Sequence, residues 1–233
     1  MKAILIPVKI FAQSKKRLAD HYSAADRAAL AAALCEDFFR TVAQVAGIER
    51  VFVVSQEPRA LAWARHKGWE TIVETAQISE SHSVDAASRE CAKRGVRALL
   101  RLPIDIPLVT PSDIGALFVE VEDAPAAIIV PSRDGTGTNA LLRSPPTLFP
   151  SHFGPDSFAL HLEEAKHCGA RVHIMRNPRI ELDVDEIDDL DVAAGLVRRD
   201  SALAEWLKTH GFKPNCHSRP RGGTPRGEGN PSG

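Results

Sequence analysis

Acidic and basic residues gathered just past short apolar runs are where this sequence could do chemistry. Asp105 stands between two prolines in Leu102-Pro103-Ile104-Asp105-Ile106-Pro107-Leu108, immediately after the apolar run Ala98–Leu102. A carboxylate on so stiff a turn suits a hard cation such as Mg²⁺, which prefers fixed oxygen ligands; a turn or capping aspartate is the alternative reading. A second acidic group is Glu181-Leu182-Asp183-Val184-Asp185-Glu186. In an extended segment Asp183 and Asp185 point one way while Leu182 and Val184 point into the core. Two carboxylates on one side repel unless a cation lies between them. Asp188 and Asp189 sit at a helix start, where the helix dipole accounts for them without a function.

Cations follow the first apolar run, Ala3–Val8: Lys9, then Gln13-Ser14-Lys15-Lys16-Arg17. Such a set could neutralise a triphosphate, and a solvated charged face is the alternative. The stretch Pro131-Ser132-Arg133-Asp134-Gly135-Thr136-Gly137-Thr138-Asn139 is rich in backbone N–H and hydroxyl donors. Phe153-Gly154-Pro155-Asp156-Ser157-Phe158 puts Ser157 in the first turn of a helix, where anions bind; a hairpin turn and an ordinary helix start are the competing explanations. Neither a P-loop nor a dinucleotide fingerprint is present. The nine histidines show no metal-ligand spacing, and His161, after Ser157, reads first as a helix-face residue.

The elements that must position these residues alternate along the chain. Strands are predicted at Ala3–Val8, Val51–Val54, Thr71–Val73, Ala98–Leu102, Ala126–Val130, Asn139–Leu142 and Val172–Met175. Between them, Ser23 with Asp26 signals a helix start, and Leu30, Leu34, Phe38 and Val42 repeat every four residues before Gly47. Further helices are predicted over 57–67, 84–94, 111–121, Pro155 to about Lys166, 188–198 and 201–210. Short apolar strands alternating with helices predict an α/β domain over 1–213, with a mostly parallel sheet covered on both faces. Functional residues then belong at the carboxyl ends of strands.

Taken together these stretches resemble the phospholactate/phosphoenolpyruvate guanylyltransferase family of coenzyme F420 biosynthesis, which has a Rossmann-like nucleotidyltransferase fold. The resemblance runs from about residue 3 to 198. It rests on Ile6-Pro7-Val8-Lys9 with Ser14-Lys15-Lys16-Arg17-Leu18, on the segment around Asp105, on Asp134–Asn139, on Phe153–Phe158 and on Leu182–Asp185. It implies that Asp105, Asp183 and Asp185 hold Mg²⁺, that Thr138, Gly154 and Ser157 contact a small phosphorylated acid, and that Lys9, Lys15 and Arg17 face the phosphates of GTP. Asp105, Lys9 and Arg17 are then the catalytic candidates. The family usually has Gly-Leu-Asn where this chain has Ser83-Val84-Asp85, so Asp85 is expected to face the base, with a helix N-cap as its alternative. A different base or acceptor, and a non-catalytic nucleotide-binding module, are the rival functions.

Composition narrows the partners. The chain of 233 residues carries a net charge of −1, and 214–233 contributes Arg219, Arg221, Arg226 and Glu228, leaving 26 basic and 29 acidic residues in 1–213. That balance gives no footprint for nucleic acid. The four cysteines form no C-x-x-C pair and suggest neither zinc nor a disulfide framework. No stretch approaches the roughly 20 apolar residues of a membrane span, and the amino terminus lacks a signal-peptide pattern, so a cytoplasmic protein is expected. The Pro/Gly/Arg-rich segment 214–233 is expected to be a disordered tail.

Overall fold

Strand β1 (Lys2–Val8) is apolar at successive positions because both of its sides are covered. Ile4, Ile6 and Val8 pack on one side with Phe38, Phe39 and Val42 of helix α1 (Ala24–Val42) and Ala60 and Ala64 of α2 (Pro58–His66). Ala3 and Leu5 pack on the other with Val84, Ala87 and Cys91 of α3 (Glu80–Lys93). The alternation of period two thus sorts one strand between two cores. The computed structural model describes residues 1–119 and 125–213. The expected tail lies outside the described residues, as does the end of the helix expected over 111–121.

Seven strands form one sheet in the order β3-β2-β1-β4-β6-β5-β7. They are β1, β2 (Arg50–Ser55), β3 (Glu70–Val73), β4 (Ala98–Arg101), β5 (Ala126–Pro131), β6 (Thr138–Ser144) and β7 (Arg171–Ile174). The pairs β1–β2, β1–β4, β2–β3 and β5–β7 are parallel, while β6 runs antiparallel to both β4 and β5. The expected mostly parallel, mixed α/β sheet with helices on both faces is the observed architecture. Chain order turns back between β1 and β4, and this switch point opens a crevice at the carboxyl ends of those strands.

Local signals set most boundaries. Ser23 and Asp26 form a reciprocal capping box at the start of α1. Helix α3 begins at Glu80, earlier than expected, because Ser79 accepts from the His82 N–H and caps it. Helix α4 is short (Pro111–Ala116), with Thr110 and Asp113 boxing its start. Helix α5 (Ser157–His167) packs over the β5–β6 side of the sheet, with Ala165 buried against Ala127, Ile129 and Leu141. Two short 3₁₀ turns, Phe11–Gln13 and Lys16–Leu18, and a single helical turn α6 (Pro178–Glu181) were not expected; each is too brief to show a period. Helices α7 (Ile187–Ala194) and α8 (Ala202–Thr209) close against α1 through Leu190, Leu203, Trp206 and Leu207. No helix among the described residues is long and apolar enough to cross a membrane.

Candidate active site

The strand ends converge because β6 is reversed. Its first residues, Thr138 and Asn139, lie at the same sheet edge as the last residues of β1, β4 and β5, since Arg101 pairs with Leu141 and Pro131 with Thr138. The segment after α6 is tied to this edge by a backbone hydrogen bond from the Val184 N–H to the Asp105 carbonyl, 2.9 Å. Leu182 and Val184 are buried, so Asp183 and Asp185 face away from the core, as their spacing predicts.

A cation already sits among these carboxylates. Lys15 adopts the left-handed conformation, φ 53°, between the two 3₁₀ turns. Its ammonium donates to Asp105 Oδ2 at 2.6 Å and to Asp185 Oδ1 at 3.1 Å, with only 5% of the side chain exposed. Those two oxygens are therefore no farther apart than the sum of the two contacts, inside the roughly 8 Å within which two carboxylates can serve one metal or an adjacent pair. Burial works against the Lys15 charge, yet Asp105 and Asp185 together raise its pKa above the ordinary value. Burial works against the Asp105 charge too, and Lys15 keeps that carboxyl below the usual range. Asp183 differs: burial, then the Asp105 charge, push it up to about 6, against the hydrogen bond it accepts from Asn139 Nδ2 at 3.1 Å. Among the described residues no three His, Cys, Asp or Glu side chains are pre-assembled as a metal cage.

Two adjoining clefts of about 480 and 640 Å³ meet at Asp105, Asp185, Lys9, Arg17, Glu80 and Arg101. The first runs over Pro7–Lys9, Gln13–Arg17, Glu74, Gln77–Glu80 and Ser83. Its cations are partly loose: Lys9 and Arg17 are 61% and 67% exposed, Lys9 pairing with Glu80 at 3.4 Å and Arg17 with Asp185 and Glu186 at 3.6 Å each. Arg101, at the junction, is buried. It pairs with Glu80, donates to the Thr138 and Asn139 carbonyls at 3.4 and 3.3 Å, and lies 4.1 Å over the Phe153 ring. Burial pulls its pKa down to about 10, so it remains charged at neutral pH.

The second cleft is lined by Ser132–Asp134, Thr136–Asn139, Phe153–Pro155, Ser157 and Asp183. Asp134 orders this loop by accepting from Ser132 Oγ, the Thr136 N–H and Thr136 Oγ1 at 2.5, 3.0 and 2.9 Å. The Gly137 N–H donates to Ser132 Oγ at 2.7 Å, and a Cβ on Gly137 would come within 2.8 Å of that oxygen, so a side chain there would push the Ser132 hydroxyl out of its hydrogen bonds. Asn139 Nδ2 is held by the Ile180 and Glu181 carbonyls at 2.9 and 3.0 Å. Gly154 turns the chain at φ 132°, which side-chain-bearing residues rarely adopt, and brings Ser157 into the cleft as the first residue of α5.

Of the expected site residues, Lys9, Lys15, Arg17, Asp105, Asp183, Asp185, Thr138, Gly154 and Ser157 all reach this pair of clefts. Asp85 does not. It lies inside α3, whose cap is Ser79, so the N-cap alternative fails as well. Both Asp85 oxygens accept from the Ser151 N–H at 3.1 Å, and Oδ1 also faces Arg143 at 3.3 Å. The partner is a buried arginine, and that is what a carboxylate answers to in place of a base. Ser83, two residues earlier, is the member of that stretch which lines the first cleft. Sequence reasoning also passed over Arg101 and Glu80. An arginine ending an apolar strand, and so destined for the crevice edge, was the available signal for the first; Glu80 carried none.

Comparison with known proteins gives the family and the fold. The family model described as "Guanylyl transferase CofC like" matches residues 1–223. A phosphoenolpyruvate guanylyltransferase of Rubrobacter xylanophilus is 35% identical over 186 residues, 80% of this chain and 90% of the relative. A 2-phospho-L-lactate guanylyltransferase of Methanothermobacter thermautotrophicus is 28% identical over 80% of this chain and 81% of the relative. Among solved structures, a chain from Desulfovibrio desulfuricans assigned to the nucleotide-diphospho-sugar transferases superposes with a TM-score of 0.72 at 17% identity, over 90% of this chain and 95% of that one. A nucleotidyl transferase from Methanothermobacter superposes at 0.58 with 14% identity, over 90% of this chain and 99% of its own. These two likenesses speak for the fold.

Proposed function

This chain belongs to the CofC-like guanylyl transferase family, and from that premise we propose that it joins GTP to a small phosphorylated carboxylic acid, releasing pyrophosphate, as a step of coenzyme F420 biosynthesis. The observation that carries this reading is the junction itself: carboxylates and a buried ammonium stand where a cleft lined by Gln13–Arg17 meets one that adds the hydroxyl and backbone donors of Thr136–Asn139, Gly154 and Ser157. Lys9 and Arg17 suit the phosphates of a nucleotide in the first. Thr138, the Gly154 turn and Ser157 suit the acid in the second.

The chemistry needs little beyond alignment and charge. A phosphate oxygen of the acid attacks the α-phosphorus of GTP; that P–O bond forms as the bond to the bridging oxygen breaks, and pyrophosphate leaves with the electron pair. A phosphate dianion is already a nucleophile, so no general base is required. The barrier is mainly repulsion between polyanions, which Lys9, Lys15, Arg17 and Arg101 lower by neutralising charge at the junction.

The donor set fits a divalent cation. Asp105, Asp183 and Asp185 offer hard oxygens, two of them already gathered around a positive charge, and these three would hold Mg²⁺. When bound, the ion would supply further neutralisation and orientation of phosphate oxygens. The protein would work as a soluble cytoplasmic enzyme on free small molecules. Mass spectrometry of products after offering GTP, Mg²⁺, 2-phospho-L-lactate, phosphoenolpyruvate and 3-phosphoglycerate together tests the reading. A guanylylated acid with stoichiometric pyrophosphate is expected, and GTP left intact with all three acids overturns it.

A further inference from the structure

His161 is wholly buried under the second cleft, between β6 and the loop that carries Phe149, His152 and Phe153. Its two ring nitrogens have different partners. The His152 backbone N–H points at Nε2 at 2.9 Å, and Nδ1 lies 3.0 Å from Thr138 Oγ1. A backbone N–H can only donate, so Nε2 must present its lone pair. The groups facing the ring are Arg143, His152 and Arg101, and burial, followed by the Arg143 guanidinium and these other neighbours, pulls its pKa down to about 3. A neutral ring with a lone pair on Nε2 carries its single proton on Nδ1. The Nδ1–H therefore donates to Thr138 Oγ1.

We infer that His161 is a positioning residue that fixes the Thr138 hydroxyl as a one-way donor into the second cleft. The hydroxyl has one proton to give, and its acceptor side is engaged by the ring. Among the described residues no other polar group bonds that hydroxyl, which lines the cleft. At that point the cleft then admits an atom with a lone pair, such as a carboxylate or phosphate oxygen of the acid, and disfavours a hydroxyl or amine that must donate. This rests on the acid occupying the second cleft, and it adds the device that sets the polarity of recognition there.

Steady-state kinetics on the full chain, with the acid that the product screen identifies, tests the inference. His161→Phe removes the donor, and KM for the acid is expected to rise by about tenfold or more, the usual worth of an oriented hydrogen bond to a charged acceptor, with KM for GTP changed less than about twofold. His161→Asn places an amide donor near the former Nδ1 and is expected to recover most of that loss. In a Thr138→Val background His161→Phe should add almost nothing, because the two residues act as one unit. Independent losses that multiply in the double variant overturn the inference, as does an equal rise in both KM values. Should His161→Phe fail to fold, His161→Asn decides: a KM for the acid as high as that of Thr138→Val overturns it. Should no acid be guanylylated, the reading of the reaction fails, and ¹⁵N NMR of the imidazole still tests the device. Protonation at Nδ1 is expected, and a ring protonated at Nε2 overturns it.

Discussion

The two clefts that share Asp105 are built on opposite principles. On the β1–β2–β3 side the cations are mostly exposed and paired with the chain's own carboxylates, Lys9 with Glu80 and Arg17 with Asp185 and Glu186. On the β6–β5–β7 side uncharged groups are pinned, Thr138 by His161, Asn139 by two carbonyls and Gly137 by Ser132, beside the charged Arg133, Asp134, Asp183 and Asp189. Loose cations suit a triphosphate that must enter with its charge and leave as pyrophosphate, since exposed pairs cost little to exchange. Pinned donors suit a small acid whose attacking oxygen must be aligned, since alignment is where a bimolecular reaction gains most. The difference teaches where the two substrates of the proposed reaction would divide: one to each half of the sheet, meeting at the carboxylates and ammonium between them.

The largest effect should come from that boundary. Asp105→Asn keeps the shape and removes one charge, and on the proposed function turnover should fall on the order of 100-fold or more, because a cation held there would contribute several kcal/mol of charge stabilisation. Both KM values should move far less than kcat, and the fold should survive. Pyrophosphate release assays check this; an Asp105→Asn enzyme that keeps more than about a tenth of its turnover would mean that the junction is not where catalysis happens.

Lys15 probes the same boundary through stability. Lys15→Met leaves Asp105 and Asp185 facing each other without the ammonium. Breaking a buried pair costs about 3–5 kcal/mol, and partial exposure of Asp185 should bring this nearer 2–3. Added Mg²⁺ should restore part of the loss by taking the vacated charge position. Thermal melts with and without Mg²⁺ measure it, and a deficit indifferent to Mg²⁺ would separate the carboxylates from metal binding.

His161, beneath the second cleft, gives that half its own pH signature. The ordinary pKa of histidine is near 6.5, and that of buried His161 is about 3. Between those values the unfolded chain binds a proton that the folded chain refuses, so stability is full above about pH 6.5 and falls as the pH drops toward 3. The slope approaches ~1.4 kcal/mol per pH unit, or about 2 kcal/mol by pH 5. Denaturant midpoints for the wild type and His161→Asn should converge as the pH is lowered from 7.5 to 5. Parallel curves would place a titrating ring in the native state.

Much of this was legible before any coordinates, and the rest was not for physical reasons. Strands such as β1 and β4 are read from runs of apolar residues, and their carboxyl ends locate Lys9 and Asp105 without further information. The alternation in Leu182–Asp185 reports which carboxylates face outward. Reversal of β6 leaves no local mark, since a strand's direction depends on its neighbours, yet it is what brings Thr138 to the active edge. The role of His161 was equally hidden, because a buried histidine and a helix-face histidine have the same sequence context until the partner strand is known. Glu80 and Arg101 meet across 21 residues of chain, a pairing no spacing rule reaches.

Asp85 gives the smallest effect and tests whether the halves are as separate as they look. It was expected to read the base and instead accepts from Arg143 and the Ser151 N–H, joining α3 to the loop after β6. Arg143 is buried and keeps the Phe149 carbonyl and Ser88 Oγ as partners. Asp85→Asn preserves an acceptor for Ser151 and removes only the charge beside Arg143, so it should cost about 1–2 kcal/mol, less than an outright deletion of a buried charge pair. Because the carboxylate serves structure and lies outside both clefts, the preference for GTP over ATP should be unchanged. Ser83, which does line that cleft, is the position in α3 where substitution should alter nucleotide KM. Parallel kinetics with both triphosphates decide between them: a shift in base preference for Asp85→Asn with Ser83→Ala silent would place Asp85 at the nucleotide and undo the separation between the two halves.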